Sequence, residues 1–202
     1  FKGSFRPGGA VIRYQINGFH TWTKNSQQTT TVSLTDPAFS LDNVGDNRVW
    51  GGEFELQGQI PLFGGQLTTT WGASHARGAF EDGTSILFQG ARLDLSGKQV
   101  PRTRDYIVTI NGAYSHDLGG SVSIFVSGSF QTAVGGYDNA SRTRLSENYE
   151  IWDLTGGLRG KEWRLIGFVK NLTNEIYRIV EVGSNAYYNT PRTYGASLTV
   201  EW

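Results

Sequence analysis

The chain has 202 residues, with 18 basic and 18 acidic side chains, 38% hydrophobic and 13% aromatic residues, 27 glycines, and neither cysteine nor methionine. Balanced charge gives no overall electrostatic reason to bind DNA, RNA or an anionic lipid surface. The absence of cysteine excludes a disulfide scaffold, a thiolate zinc site, an iron–sulfur cluster and a cysteine nucleophile. A start at Phe1 with no methionine points to a processed or partial chain, with any signal peptide removed or further upstream. No apolar run reaches the roughly 18 residues of a membrane-spanning helix, and the length suits one all-β domain or part of a larger one.

Apolar residues recur with period two rather than at helical spacing. Phe1 to Phe5 reads as the end of a strand. From Ile12 the even positions Ile12, Tyr14, Ile16, Gly18 and Trp22 oppose Arg13, Gln15, Asn17, Thr21 and Thr23. Around Trp50, the set Trp50, Phe54, Leu56 and Ile60 opposes Glu53, Glu55, Gln57 and Gln59; Val108, Ile110 and Tyr114 oppose Thr109, Asn111 and Ser115. The clearest split sets Val122, Ile124, Val126, Phe130 and Val134 against Ser121, Ser123, Ser127, Ser129 and Gln131, with Phe125 the one exception. Strands are therefore predicted near 10–25, 47–60, 66–80, 106–117, 121–135, 149–160, 163–178 and 190–202. Tight turns fall at Arg6 to Gly9, Pro61 to Gly65, Leu118 to Gly120 and Lys161 to Glu162, and long polar loops near 26–46, 81–105, 136–148 and 179–189.

Strands in soluble proteins average about five or six residues, and most of these run well beyond that. A tilted strand needs about 9–11 residues to cross the hydrocarbon of a bilayer, plus a few at each end. Short turns at one rim, long loops at the other, and one apolar and one polar stripe then describe a barrel with its apolar face toward lipid. Trp22, Trp50 and Trp152 lie near the long-loop ends of their strands, and Tyr114, Trp163 and Trp202 near the short-turn ends, as two interfacial girdles require. A soluble antiparallel sheet, in which the same stripe points inward, is the competing architecture.

The segment Asn171-Leu-Thr-Asn-Glu-Ile-Tyr177, preceded by Trp163 to Lys170 and followed by Pro191 to Trp202, resembles the C-terminal end of TonB-dependent outer-membrane receptors. Val49 to Leu56 and Pro101 to Tyr114 extend the resemblance upstream. It implies an all-β fold, an antiparallel transmembrane β-barrel to which residues 1–202 contribute about eight C-terminal strands of about 22. The plug domain and TonB-contacting segment of that family are not visible in this chain, so the rest of the barrel and the plug would come from an upstream portion or a second chain. The terminal alternation of Tyr194, Ala196, Leu198, Val200 and Trp202, with Gly195 between, resembles the signal read by the barrel assembly machinery; family members more often end in Phe. The function implied is TonB-dependent uptake of a scarce solute across the Gram-negative outer membrane. A ferric siderophore is the first expectation, and corrinoids, glycans and other metal chelates remain open. A passive or structural barrel without a plug is the alternative, and a soluble β-sheet binding module a third.

Neither cofactor nor metal centre is expected, and catalysis is not. His20, His75 and His116 are scattered, so no Ser/His/Asp set follows from spacing. Asp42-Asn-Val-Gly-Asp46 lacks calcium-loop spacing and reads as a solvated loop. Asn139-Ala-Ser141 and Asn171-Leu-Thr173 fit a glycosylation pattern that means little in a bacterial envelope. Polar-face residues at the long-loop rim are the ligand-binding candidates: Phe19, Thr21, Glu53, Gln131, Tyr149 and Asp153. Loop aromatics Phe39, Phe88 and Tyr137 are further candidates. Arg77 and Arg104 suit an anionic chelate or a cross-strand carboxylate equally.

Overall fold

A computed structural model describes residues 1–31, 39–141, 144–182 and 185–201. Nine strands form one antiparallel sheet in the order β1 (Lys2–Phe5), β2 (Val11–Thr31), β3 (Phe39–Leu62), β4 (Gly65–Phe80), β7 (Tyr106–Gly119), β8 (Val122–Val134), β9 (Tyr149–Arg159), β10 (Trp163–Lys170) and β13 (Thr193–Val200). Two hairpins stand outside it, β5 (Ser85–Phe88) with β6 (Ala91–Asp94), and β11 (Arg178–Val182) with β12 (Asn185–Tyr188). The short turns use residues in the left-handed region, Phe63 and Gly64 between β3 and β4, and Gly119, Gly120 and Ser121 between β7 and β8.

The register makes the alternation continuous across the sheet. Tyr14, Leu56, Trp71, Ile110, Phe130 and Trp152 stand opposite one another on successive strands, and Arg13, Gln57, Thr70, Asn111, Ser129 and Asp153 form the corresponding polar row. Nothing among the described residues covers the apolar face. Trp22 is 66% exposed, Trp152 44% and Val126 42%, and neither Ile124 nor Phe130 is buried. The accessible surface of 12877 Å² compares with about 9,400 Å² for a compact soluble chain of this mass. The buried apolar cluster lies instead at the long-loop ends of β3 and β4, where Val44 and Phe80 pack with Ile86, Leu95 and Ala140, flanked by Leu93 and Val100. A soluble sandwich would bury the apolar stripe of its strands; here the buried cluster sits at one end of the sheet and the stripe stays uncovered.

The expected girdle positions imply a definite strand tilt. Trp152 on β9 shares a row with Leu56 on β3, four strands away, whereas Trp50 lies six residues nearer the long-loop end. If Trp50 and Trp152 are level, about 20 Å along the strand offsets about 19 Å across it, a tilt of about 45°. At the other rim Tyr114 shares a row with Gly167, three strands on, and Trp163 lies four residues nearer the short turns. Those offsets are about 13 and 14 Å, again a little over 40° and with the same hand. Both agree with the roughly 35–45° of membrane barrels. The expected girdle residue Trp202 lies outside the described residues.

Several boundaries differ from the sequence expectation. The loop expected near 26–46 is largely an extension of β2 and β3, paired from Ser26–Gly45 to Thr31–Phe39 after a bulge. Asp42 and Asp46 are therefore strand residues: the Leu87 amide donates to Asp42 Oδ2 (3.1 Å) and the Asn25 amide to Asp46 Oδ1 (2.9 Å). The strand expected over 163–178 stops at Lys170, because Asn171 and Asn174 take φ of 51° and 57°. The last strand starts at Thr193 rather than near 190, and the loops near 81–105 and 179–189 contain the two hairpins.

Candidate functional site

The polar face at the long-loop rim carries one side-chain constellation with binding chemistry. Tyr149 opens β9 in register with Ala133 on the polar face, and Gln131 Nε2 donates to its hydroxyl at 3.1 Å. Tyr177 stacks on Tyr149 with centroids 4.2 Å apart and planes 14° from parallel. The Arg104 guanidinium lies 6.0 Å over the Tyr149 ring and is oriented by the carbonyls of Gly135 and Glu147, each at 3.0 Å. Burial, with Tyr149 beside it, raises the Tyr177 hydroxyl above its ordinary pKa of 10.0, and Arg104 partly offsets this. A cation anchored by backbone carbonyls beside two partly exposed phenols offers an anionic aromatic ligand both charge and a stacking surface.

Two adjoining structures hold this constellation. Asn171 is 4% exposed, and its Nδ2 donates to the carbonyls of Glu175 (2.8 Å) and Thr190 (3.0 Å) while its Oδ1 accepts from the Glu175 amide (2.8 Å). The Asn171 amide donates to Asp153 Oδ1 at 2.8 Å. This turn sends the chain back so that Tyr177 meets Tyr149. Beyond it, Arg178 contacts Asp138 (3.6 Å), Glu147 (3.6 Å) and Glu181 (3.4 Å), tying the 135–148 loop to the β11–β12 hairpin. Arg144 adds a second link to Glu181 at 2.5 Å.

Of the six ligand-binding candidates, the structure brings together Gln131 and Tyr149. Thr21 and Glu53 lie exposed on the same face at a distance along the sheet, and Phe19 leans over Gly51, where an added Cβ would meet its ring at 2.8 Å. Asp153 holds the Asn171 turn. The sequence offered Arg104 an anionic chelate or a cross-strand carboxylate, whereas its guanidinium is held by backbone carbonyls; Tyr177 was expected inside a strand, and the reversal at Asn171 brings it to Tyr149, with two asparagines three apart the available signal. Tyr137 sits in the 135–148 loop and Phe88 ends β5, while the side chain of Phe39 is outside the description. The three histidines all stand on the apolar face beside aromatics: His20 on Trp22 (3.8 Å), His75 on Tyr106 (4.6 Å) and His116 near Tyr114 (6.5 Å).

Comparison with known proteins supplies the family. Residues 2–172 match the family described as TonB dependent receptor-like, beta-barrel. Among curated proteins no significant match is found. Among solved structures the chain is similar to the ferric yersiniabactin uptake receptor FyuA from Yersinia pestis, at TM-score 0.71 and 18% identity, covering 98% of this chain and 28% of that one. It is also similar to the siderophore receptor PiuA from Acinetobacter baumannii, at 0.67 and 18%, covering 98% and 26%. The outer membrane transporter YddB from Escherichia coli gives 0.59 and 12%, covering 100% and 32%. The chain thus spans under a third of the length of the structures it matches. These are receptors and transporters by name, and the match over most of the sequence, on a sheet of long antiparallel strands with an uncovered apolar face, leads to one conclusion: this chain belongs to the TonB-dependent receptor β-barrels of the Gram-negative outer membrane.

Proposed function

We propose that the chain is the C-terminal portion of a receptor that takes up a scarce solute, a ferric chelate, with energy delivered through TonB. The carrying observation is the Arg104, Tyr149, Tyr177 and Gln131 constellation on the polar face at the loop rim. A solute arriving from outside meets this rim first, and an iron chelate with aromatic or carboxylate arms matches its cation and rings. The names of two similar structures, a ferric yersiniabactin uptake receptor and a siderophore receptor, support the same substrate class. In this reading Tyr194, Gly195, Leu198, Val200 and Trp202 serve the barrel assembly machinery. The outer strands β1 and β13 each have one strand neighbour among the described residues. Open edges in lipid cost several kcal/mol per unmatched backbone group, so further strands complete the cylinder around a plug.

The test is equilibrium binding of a panel of ferric siderophores to the intact receptor, followed by uptake of radiolabelled iron in cells with and without TonB. Arg104→Gln with Tyr149→Ala is expected to weaken binding of the preferred chelate by ten-fold or more. Binding of every chelate unchanged by these substitutions, or uptake independent of TonB, overturns the proposal.

A further inference from the structure

Balanced total charge conceals a local sorting on the lipid-facing side. His20 on β2, Trp50 on β3 and Arg77 on β4 are in direct register, and Trp22 pairs with Arg48 one step nearer the outer loops. The Arg48 guanidinium lies 5.5 Å over the Trp50 ring and 3.4 Å from Glu81. Arg77 is exposed, and its side chain has no hydrogen-bond or ion-pair partner among the described residues. With strands tilted by about 45° and spaced at about 4.8 Å, both guanidinium-bearing positions rise about 3–5 Å above the level of Trp50. That is the headgroup layer immediately outside the aromatic belt.

Cations are tolerated on the lipid side of a barrel near the interface and penalised toward the midplane, so their height fits a headgroup contact. Their direction excludes a solute in the lumen. Two arginines flanking an indole offer planar, bidentate donors suited to phosphate, with the ring lodged at the boundary between headgroup and acyl chains. We propose that Arg48, Arg77 and Trp50 form a binding site for the phosphate-bearing headgroup of an outer-leaflet lipid. Glu81, by neutralising part of Arg48, leaves Arg77 as the principal contact.

The site is tested on the intact receptor by native mass spectrometry with diphosphoryl lipid A, its enzymatically dephosphorylated form, and inorganic phosphate as competitor. The diphosphoryl form is expected to be retained preferentially, and Arg77→Gln to weaken retention about five-fold, from roughly 1 kcal/mol per cation at a membrane surface. Arg164→Gln, on the opposite face, should leave retention unchanged. Equal binding of the two lipid forms by the unsubstituted receptor overturns the proposal without any variant, as does retention unaffected in Arg48→Gln/Arg77→Gln. Competition by millimolar inorganic phosphate would mean a free-anion site and overturn the lipid assignment. A nitroxide at position 54, simple to place in a chain without cysteine, separates failures: if it is inaccessible to lipid, the orientation is wrong; if accessible, only the headgroup site fails. Loss of the headgroup site alone leaves the importer proposal standing, whereas a lipid-inaccessible position 54 counts against both.

Discussion

Replacing Gly157 with alanine introduces a methyl group against the backbone of the neighbouring β10. A Cβ at that position would fall inside the contact distance of the Leu165 carbonyl oxygen, 3.1 Å from Ile166 Cα and 2.9 Å from the Phe125 ring. Two of these three atoms belong to the neighbouring backbone and have no rotamer to move into. Phe125 is the aromatic residue that breaks the polar alternation of β8, and it is held there by the notch at Gly157 and by the guanidiniums of Arg164 (5.0 Å) and Arg159 (5.9 Å). Overpacking costs about 1–3 kcal/mol, and displacing Phe125 forfeits about 0.5–1 kcal/mol for each exposed cation–π contact. Gly157→Ala is thus expected to destabilise the barrel by about 2–5 kcal/mol. Gly195 is the comparison: its Cβ would meet the Phe168 ring at 2.8 Å, a movable side chain, so the cost stays below about 1–2 kcal/mol. At Gly167 nothing lies within 4 Å, and alanine should stabilise by about 0.4–1 kcal/mol through the unfolded chain. Urea unfolding of the intact receptor in vesicles, followed by tryptophan fluorescence, ranks the three variants. A Gly157→Ala midpoint equal to the unsubstituted protein, or a lower midpoint for Gly167→Ala than for Gly157→Ala, refutes the close-approach argument.

Other outcomes follow from the loop contacts. Asn171→Ala loses three hydrogen bonds and leaves alanine in the left-handed region, about 2–4 kcal/mol together; hydrogen exchange over 171–190 should accelerate, and Asn171→Gly should recover about 1 kcal/mol of the loss. Arg178→Gln leaves Asp138, Glu147 and Glu181 without their shared cation, about 2 kcal/mol for part-exposed groups, seen as faster exchange in 135–148 and 178–182 with β8 and β9 unaffected. Tyr177 ionises above its ordinary value of 10.0, so the fold favours its protonated form. Its contribution is complete below about pH 10, the unfolded value, and lost as pH rises through the folded one. Absorbance at the tyrosinate band should show one late-titrating group that Tyr177→Phe removes.

The strands were legible because a side-chain period of two with one apolar face identifies a strand and its register, and their length pointed to a membrane rather than to a soluble sheet. Strand ends were not. Above the membrane β2 and β3 continue through Thr, Gln, Asn and Asp on both faces, where no apolar stripe marks the strand and pairing alone carries it. The buried cluster at the long-loop end escaped for a related reason: Phe80, Ile86 and Leu95 are far apart in any periodic pattern and meet only through the fold. At the candidate site, Gln131 and Tyr149 were visible as polar-face residues at the rim. Arg104 and Tyr177 arrive from a loop and a reversed turn, geometry that depends on Asn171 adopting positive φ. Phe125 looked like an error in the alternation and is instead the cover over a glycine, a cross-strand arrangement repeated by Phe19 with Gly51 and Phe168 with Gly195.

The orientation of the two faces can be measured along β8. Single cysteines carrying a nitroxide at each position from Val122 to Val134 in the intact receptor report collision with oxygen, which concentrates in hydrocarbon, and with a water-soluble nickel chelate. Oxygen accessibility is expected to peak at 124, 126, 128 and 130 and fall at 123, 125, 127 and 129. The opposite phase, or no alternation, would place the apolar face away from lipid and contradict the account.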